Sequence, residues 1–173
     1  MEGIYNMRGE SQVEMAFLIL LTAAYFSDFD ANSELLGEAA GCSPVIVRRI
    51  YKKLKDADLL DTKPGRYGLH LTRKPEEITY LEVIEAVRPL DSSTLFGVAA
   101  PLSGTTPVSH ELFAALNADL GIAIDKTKEA LGKKTLRDLA TEIHVYSDKP
   151  REEQSKLIRS YMVEAEKRYA DQP

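Results

Sequence analysis

The chain has 173 residues, of which 44% are hydrophobic and 28% charged, with a net charge of −5 and one cysteine. That length suffices for one domain, or for a small domain with an oligomerisation element, and the composition is that of an ordinary globular protein. One cysteine excludes an internal disulfide and suits a reducing cytoplasm. The apolar run 15–26 spans about a dozen residues, too few to cross a bilayer, and Glu2 and Glu10 replace the basic start of a signal peptide.

The first helix is expected to open at Ser11, where Ser11 to Glu14 has the pattern of a capping box. Val13, Phe17, Leu20, Leu21 and Ala24 form its inner face. Met15, Leu18 and Ile19 leave little polar surface, so this helix should pack between neighbours. Residues 28–32 read as the loop that follows.

Residues 33–75 read as a short helix, a tight turn, a second helix and two strands. Ser33 suits an N-cap for a helix through Ala40. Gly41 and Cys42 make the turn, and Ser43-Pro44 restarts the helix with proline at its first position. Val47, Ile50, Tyr51 and Leu54 recur at helical spacing and give a core face. Arg48, Arg49, Lys52, Lys53 and Lys55 fall mostly elsewhere on the helix. Leu59-Leu60 and the alternation of Tyr67, Leu69 and Leu71 are strand signals around a Pro64-Gly65 turn. A helix-turn-helix followed by a two-stranded wing is a device for reading double-stranded DNA, with the second helix in the major groove.

Charge agrees with this reading. Residues 43–74 hold nine basic and three acidic side chains, a net +6, which leaves −11 for the rest of the chain. A basic island in an acidic protein is the footprint of local phosphate contact. Lys53 is expected among the phosphate-binding lysines.

Beyond the wing, Thr79 and Glu82 form a second capping box, with Leu81, Ile84 and Val87 toward the core. From Arg88 to Pro107 the composition shifts to Pro, Gly, Ser and Thr around one apolar island, residues 95–98, expected as a short docked piece in a linker. A long helix should run over 109–131 and end at Gly132. Its stripe of Leu112, Phe113, Leu116, Leu120, Ile124 and Leu131 packs either on its own domain or on a twofold partner, and the partner is the preferred reading. Thr135 to Asp138 caps a further short helix, and residues 150–169 give a last amphipathic one. The fold class is therefore mainly α with a small β-wing, arranged as a winged helix-turn-helix domain (1–88), a linker (89–108) and a helical dimerisation region (109–173).

The series GCSPVIVRRIYKKLKDADLL, GLHLTRKPEEITYLEVIEAV, LFGV and ELF through KKTLRDLA resembles the Rrf2 family of bacterial winged-helix regulators, over roughly residues 13–143. The resemblance implies a homodimeric repressor, its long helix crossing its twin, bound to palindromic promoter DNA. It places the DNA-contacting positions on Ser43, Val45, Arg48, Arg49 and Lys52. Arginine matches the paired acceptors of guanine, so Arg48 or Arg49 is the specificity candidate. The wing corresponds to residues 63–71, with Arg66 and Tyr67 between Gly65 and Gly68 at a shortened tip. Where the family often ends its recognition helix with glycine, Asp58 stands here, and aspartate can adopt the left-handed cap.

Cluster-binding members carry three cysteines in the linker after the wing; residues 88–109 contain none, so no iron–sulfur cofactor and no metal is expected. Cys42 has two readings. A helix N-terminus with nearby arginines favours a redox-active thiolate; a small, half-buried turn residue is preferred, because no second cysteine can resolve an oxidised form. An unknown small-molecule effector docked near residues 95–107 and control by protein abundance alone stand as equals. An enzyme is not expected: no phosphate loop, nucleophile elbow or metal-ligand spacing occurs. A winged-helix adaptor that binds proteins without reading DNA is the alternative, with a small enzyme behind it.

Overall fold

The computed structural model describes residues 11–25, 32–61, 69–101 and 106–143. Helix α1 (Ser11–Tyr25) is apolar on nearly every side, and the rest of the fold is built around it. Met15, Ala16, Ile19, Leu20, Leu21 and Ala23 are buried, and Val13, Phe17, Leu18 and Ala24 pack partly against the same core. With no wet face to offer, α1 is surrounded by α3, α4, α7 and β2.

Helix α2 (Ser33–Ala39) begins at its expected cap, one residue earlier than expected. The Leu36 N–H donates to the Asn32 carbonyl, so Ser33 is already helical. Its hydroxyl instead bridges side chains, donating to Glu34 and accepting from Arg48. The turn into α3 (Pro44–Asp56) uses two glycines for different reasons. Gly41 has φ +64°, the left-handed region where a Cβ is disfavoured. At Gly37 a Cβ would lie 2.7 Å from the Cys42 carbonyl oxygen, so the two backbones touch only because no side chain intervenes.

Helix α3 buries Val47, Ile50 and Leu54 completely and Tyr51 partly, the core face expected from spacing. It ends in a Schellman motif. Leu59 N–H donates to Leu54 C=O, Asp58 N–H donates to Lys55 C=O, and Asp58 takes the left-handed position at φ 54°. Leu54 and Leu59 are both buried, the apolar contact that accompanies this cap. Strands β1 (Leu60–Asp61) and β2 (His70–Leu71) pair antiparallel, with Leu60 opposite Leu71 and Asp61 opposite His70. The wing tip, with Lys63, Arg66 and Tyr67, lies outside the described residues.

After a single 3-10 turn at Pro75–Glu77 comes α4 (Tyr80–Val87), closed by the expected box. The Thr79 hydroxyl accepts from Glu82 N–H, and the Glu82 carboxylate accepts from Thr79 N–H. The core face differs from expectation: Val83 and Val87 are buried, whereas Leu81 and Ile84 are only half-buried. Helix α4 is sandwiched, meeting α1 and α3 on one side and α6 on another, and Leu81 turns toward Gly132 of α6. Helix α5 (Ser92–Phe96) is capped by Asp91 and ended by Gly97 at φ +72°. The expected docked island is outward: Leu95 is 38% and Phe96 48% exposed, and the buried anchor of this segment is Leu90.

Helix α6 (Pro107–Gly132) has 26 residues and is about 39 Å long. Helix α7 (Leu136–Glu142) follows a turn capped by Thr135 and Asp138. The starts of α4 and α7 lie side by side: Tyr80 N–H donates to Lys134 C=O and Leu136 N–H to Ile78 C=O, both at 2.9 Å. Leu136 and Ala140 thereby join the core made by α1, α3 and α4. The core of the winged unit thus continues past residue 88 and is closed by α7, which the division drawn from sequence had assigned to a separate region. The expected helix over 150–169 lies outside the described residues.

Candidate nucleic-acid interface

Helix α3 presents its surface by simple periodicity. With Val47, Ile50 and Leu54 buried, positions i, i+4, i+7 and i+11 counted from Val45 fall on the opposite side. These are Val45, Arg49, Lys52 and Asp56, all exposed, with Val45 at 60%. Arg49 and Lys52 have no hydrogen-bond or ion-pair partner among the described residues. Val45 thus stands more than half exposed on the same face as these two cations.

Arg48 lies on the flank of this stripe and is engaged. Its Nη1 is 2.9 Å from Glu34 Oε1 and 3.1 Å from the Ser33 hydroxyl. The ion pair is exposed, so it contributes little to stability. It does hold the guanidinium toward α2. The Glu34 carboxyl sits below its ordinary value, chiefly through its own backbone N–H, then through Ser33 and Arg48.

Lys53 departs from the sequence expectation. Its ammonium donates to the Val87 carbonyl at 2.6 Å and to Gln12 Oε1 at 3.0 Å, joining α3 to the end of α4 and the start of α1. It is engaged inside the fold and lies off the exposed stripe of Val45, Arg49 and Lys52. Ser43 is the exposed N-cap of α3, with extended backbone (φ −69°, ψ 144°) and no side-chain cap bond. Its carbonyl accepts from Ile46 N–H.

Cys42 is partly packed against the core, and burial pushes its thiol up. That is the opposite of the shift a thiolate needs. Among the described residues, no three His, Cys, Asp or Glu side chains converge to hold a metal ion.

The long-helix stripe expected at a dimer interface divides into two. Ile124 is buried within its own chain, and Phe113, Leu120 and Leu131 are half-buried on that same side. Leu112 (49% exposed) and Leu116 (42%) point away from the chain, in the company of Val108 (69%) and Ile122 (59%), which the sequence reading did not single out. Their spacing was in the sequence; which side of α6 meets α4 was not.

A turn-linked helix pair with an exposed basic stripe, closed by a short wing, defines a winged helix-turn-helix DNA-binding protein. The sequence profile of the Rrf2 family, described as Iron-dependent Transcriptional regulator, matches residues 10–142. The chain belongs to the Rrf2 family of DNA-binding transcriptional regulators, which are not enzymes. It is 29% identical over 125 residues to YwnA of Bacillus subtilis, whose name places it among HTH-type transcriptional regulators; 72% of this chain and 92% of YwnA are covered. A crystal structure assigned as a DNA-binding protein is similar with a TM-score of 0.59 at 26% identity, covering 75% of this chain and 98% of the other. CymR (YrzC), the global cysteine regulator of B. subtilis, shares the fold with a TM-score of 0.51 at 20% identity, covering 82% of this chain and 99% of CymR.

The family description names iron, and the residues here do not fit a cysteine-held iron–sulfur cluster. The chain has one cysteine, and it lies in the α2–α3 turn, away from the segment between α4 and α6. None of the helices in the described residues is long and apolar enough to cross a membrane.

Proposed function

We propose that the chain acts in the cytoplasm as a homodimeric repressor of palindromic promoter sites, each subunit placing α3 in the major groove, without an iron–sulfur cluster. The observation that supports the reading head best is the stripe opposite the α3 core face, where Val45, Arg49 and Lys52 are exposed and the two cations have no partner among the described residues. The dimer reading is supported by Val108, Leu112 and Leu116, exposed apolar side chains in an i, i+4, i+8 row on a 26-residue helix, with Ile122 exposed further round it. Apolar surface of this kind on a helix is disposed to pair with its own copy. A twofold dimer sets two heads about 34 Å apart on one face of DNA, hence the palindrome.

The test starts from DNA selected by the purified protein from a random pool. A palindromic site, bound with an affinity that falls steeply with salt, and a reporter silenced through that site are the expected results. An Arg48→Ala, Arg49→Ala double variant that binds this site unchanged would refute the reading head. Absence of any selected site would favour the adaptor reading.

A further inference from the structure

The α3 stripe offers more than charge, and its chemistry specifies part of the sequence it reads. We propose that Val45 and Arg49 form a paired base-reading element, Val45 packing on the C5-methyl of a thymine and Arg49 pairing with a guanine about two base-pair steps away. This inference rests on the DNA-binding reading of α3 and goes beyond it.

Three observations converge. Val45 is 60% exposed in the first turn of α3, opposite the buried Val47, Ile50 and Leu54. A β-branched apolar side chain there is left largely outside the core. In the major groove the one apolar group on a base edge is the thymine methyl, and apolar side chains are its natural partners. Arg49 follows four residues on, directly above Val45 on the same face, exposed and without a partner among the described residues. Four residues rise about 6 Å along a helix, on the order of two base-pair steps. The competing arginine, Arg48, is turned aside toward Glu34 and Ser33.

Electrostatics fixes which end of the helix enters. Asp56 ends the same stripe at the C-terminus of α3, where its carboxylate adds to the negative end of the helix dipole. Lys53 and Lys55 also stand in that last turn, so the dipole rather than the side-chain charge distinguishes the two ends. The N-terminal half, with Ser43, Val45 and Arg49, carries the positive end of the dipole and is the half that approaches DNA.

The test uses the full chain and a half-site obtained by selection, and it changes the DNA as well as the protein. The wild type should enrich a thymine within two base pairs of a guanine. Replacing that thymine by uracil removes only the methyl and should weaken wild-type binding roughly fourfold, the equivalent of one buried methylene. Val45→Ala should bind the thymine and uracil sites equally, and Arg49→Ala should lose the guanine preference while Arg48→Ala keeps it. Circular dichroism of each variant establishes that it folds, and the uracil substitution cannot unfold the protein. A wild type indifferent to uracil overturns the inference, as does a Val45→Ala variant that still distinguishes the two sites. In both cases DNA binding itself stands. A wild type that enriches no motif overturns the DNA-binding reading and the inference together.

Discussion

Alanine substituted at Lys52 and at Lys53, one variant each, should separate DNA affinity from stability. The two lysines are adjacent on α3 and so about 100° apart around its axis. Lys53 ties three helices, its ammonium 2.6 Å from the Val87 carbonyl and 3.0 Å from Gln12 Oε1. A hydrogen bond from a charged donor contributes about 1.5–3 kcal/mol, and partial exposure puts this one near the lower end. The carbonyl belongs to the last turn of α4, where a cation is also favoured by the dipole. With a urea m-value of about 1–3 kcal/mol/M, Lys53→Ala should lower the unfolding midpoint by roughly 0.5–1.5 M. It should leave the slope of log affinity against log salt unchanged. Lys52→Ala should do the reverse, reducing that slope by about 0.9 if the lysine neutralises one phosphate and leaving the midpoint where it was. Urea titration and gel shifts at several salt concentrations measure both. A Lys53→Ala variant with wild-type stability and a flattened salt slope would refute the reasoning.

Asp58→Gly should raise stability by about 0.5–1 kcal/mol, since glycine takes the φ 54° conformation without the Cβ penalty; a lower melting temperature would contradict the cap assignment. Burial raises the Glu82 carboxyl, but bonds from Thr79 and Arg73 outweigh it and hold the group below its ordinary value. Its contribution is therefore complete above about pH 4.3 and lost as pH falls through the lower folded value, so Glu82→Gln should flatten the acid side of the stability curve. Leu116→Glu should yield a folded monomer by sedimentation. Ile124→Ala should instead cost about 2–5 kcal/mol in a thermal melt, because it opens a cavity inside the chain.

The parts of this fold that sequence made legible are those decided within a few residues. The boxes at Thr79–Glu82 and Thr135–Asp138 each need one hydroxyl and one carboxylate three apart, and both form. The core face of α3 follows from period alone, and the left-handed Asp58 from the family resemblance, which puts a glycine at that position. Where packing between distant segments decides, the sequence is silent. Lys52 and Lys53 look alike until Val87 arrives from 34 residues away to claim one of them. Leu112 and Ile124 look like one stripe until α4 takes the Ile124 side of α6. The closure of the core by α7 depends on Tyr80 meeting Lys134 and Leu136 meeting Ile78, a pairing between two segments that carry no strand pattern. Ser33 failed as a cap for a local reason: Asn32, one residue earlier, also suits the role.

The arrangement explains how a dimer formed through α6 would hold its reading heads at a defined separation. The outward side of α6 bears Val108, Leu112, Leu116 and Ile122, and its inward side is seated on α4 around the buried Ile124. Beyond that seat, Lys128 of α6 pairs with Glu85 of α4 at 2.7 Å. The end of α4 is in turn bound to α3 by Lys53. Each α3 is thus connected to its own α6 through packed helices rather than through a loop alone. A change in the angle between two α6 helices must then move the heads as bodies, because the α6–α4 and α4–α3 contacts are close-packed and resist gradual deformation. Any effector of such a protein has one physical requirement, to bind one head spacing better than another; equal affinity for both would shift nothing. The exposed Leu95 and Phe96 of α5 lie on the segment between α4 and α6, where added contacts would bear on that angle and leave the basic face of α3 untouched.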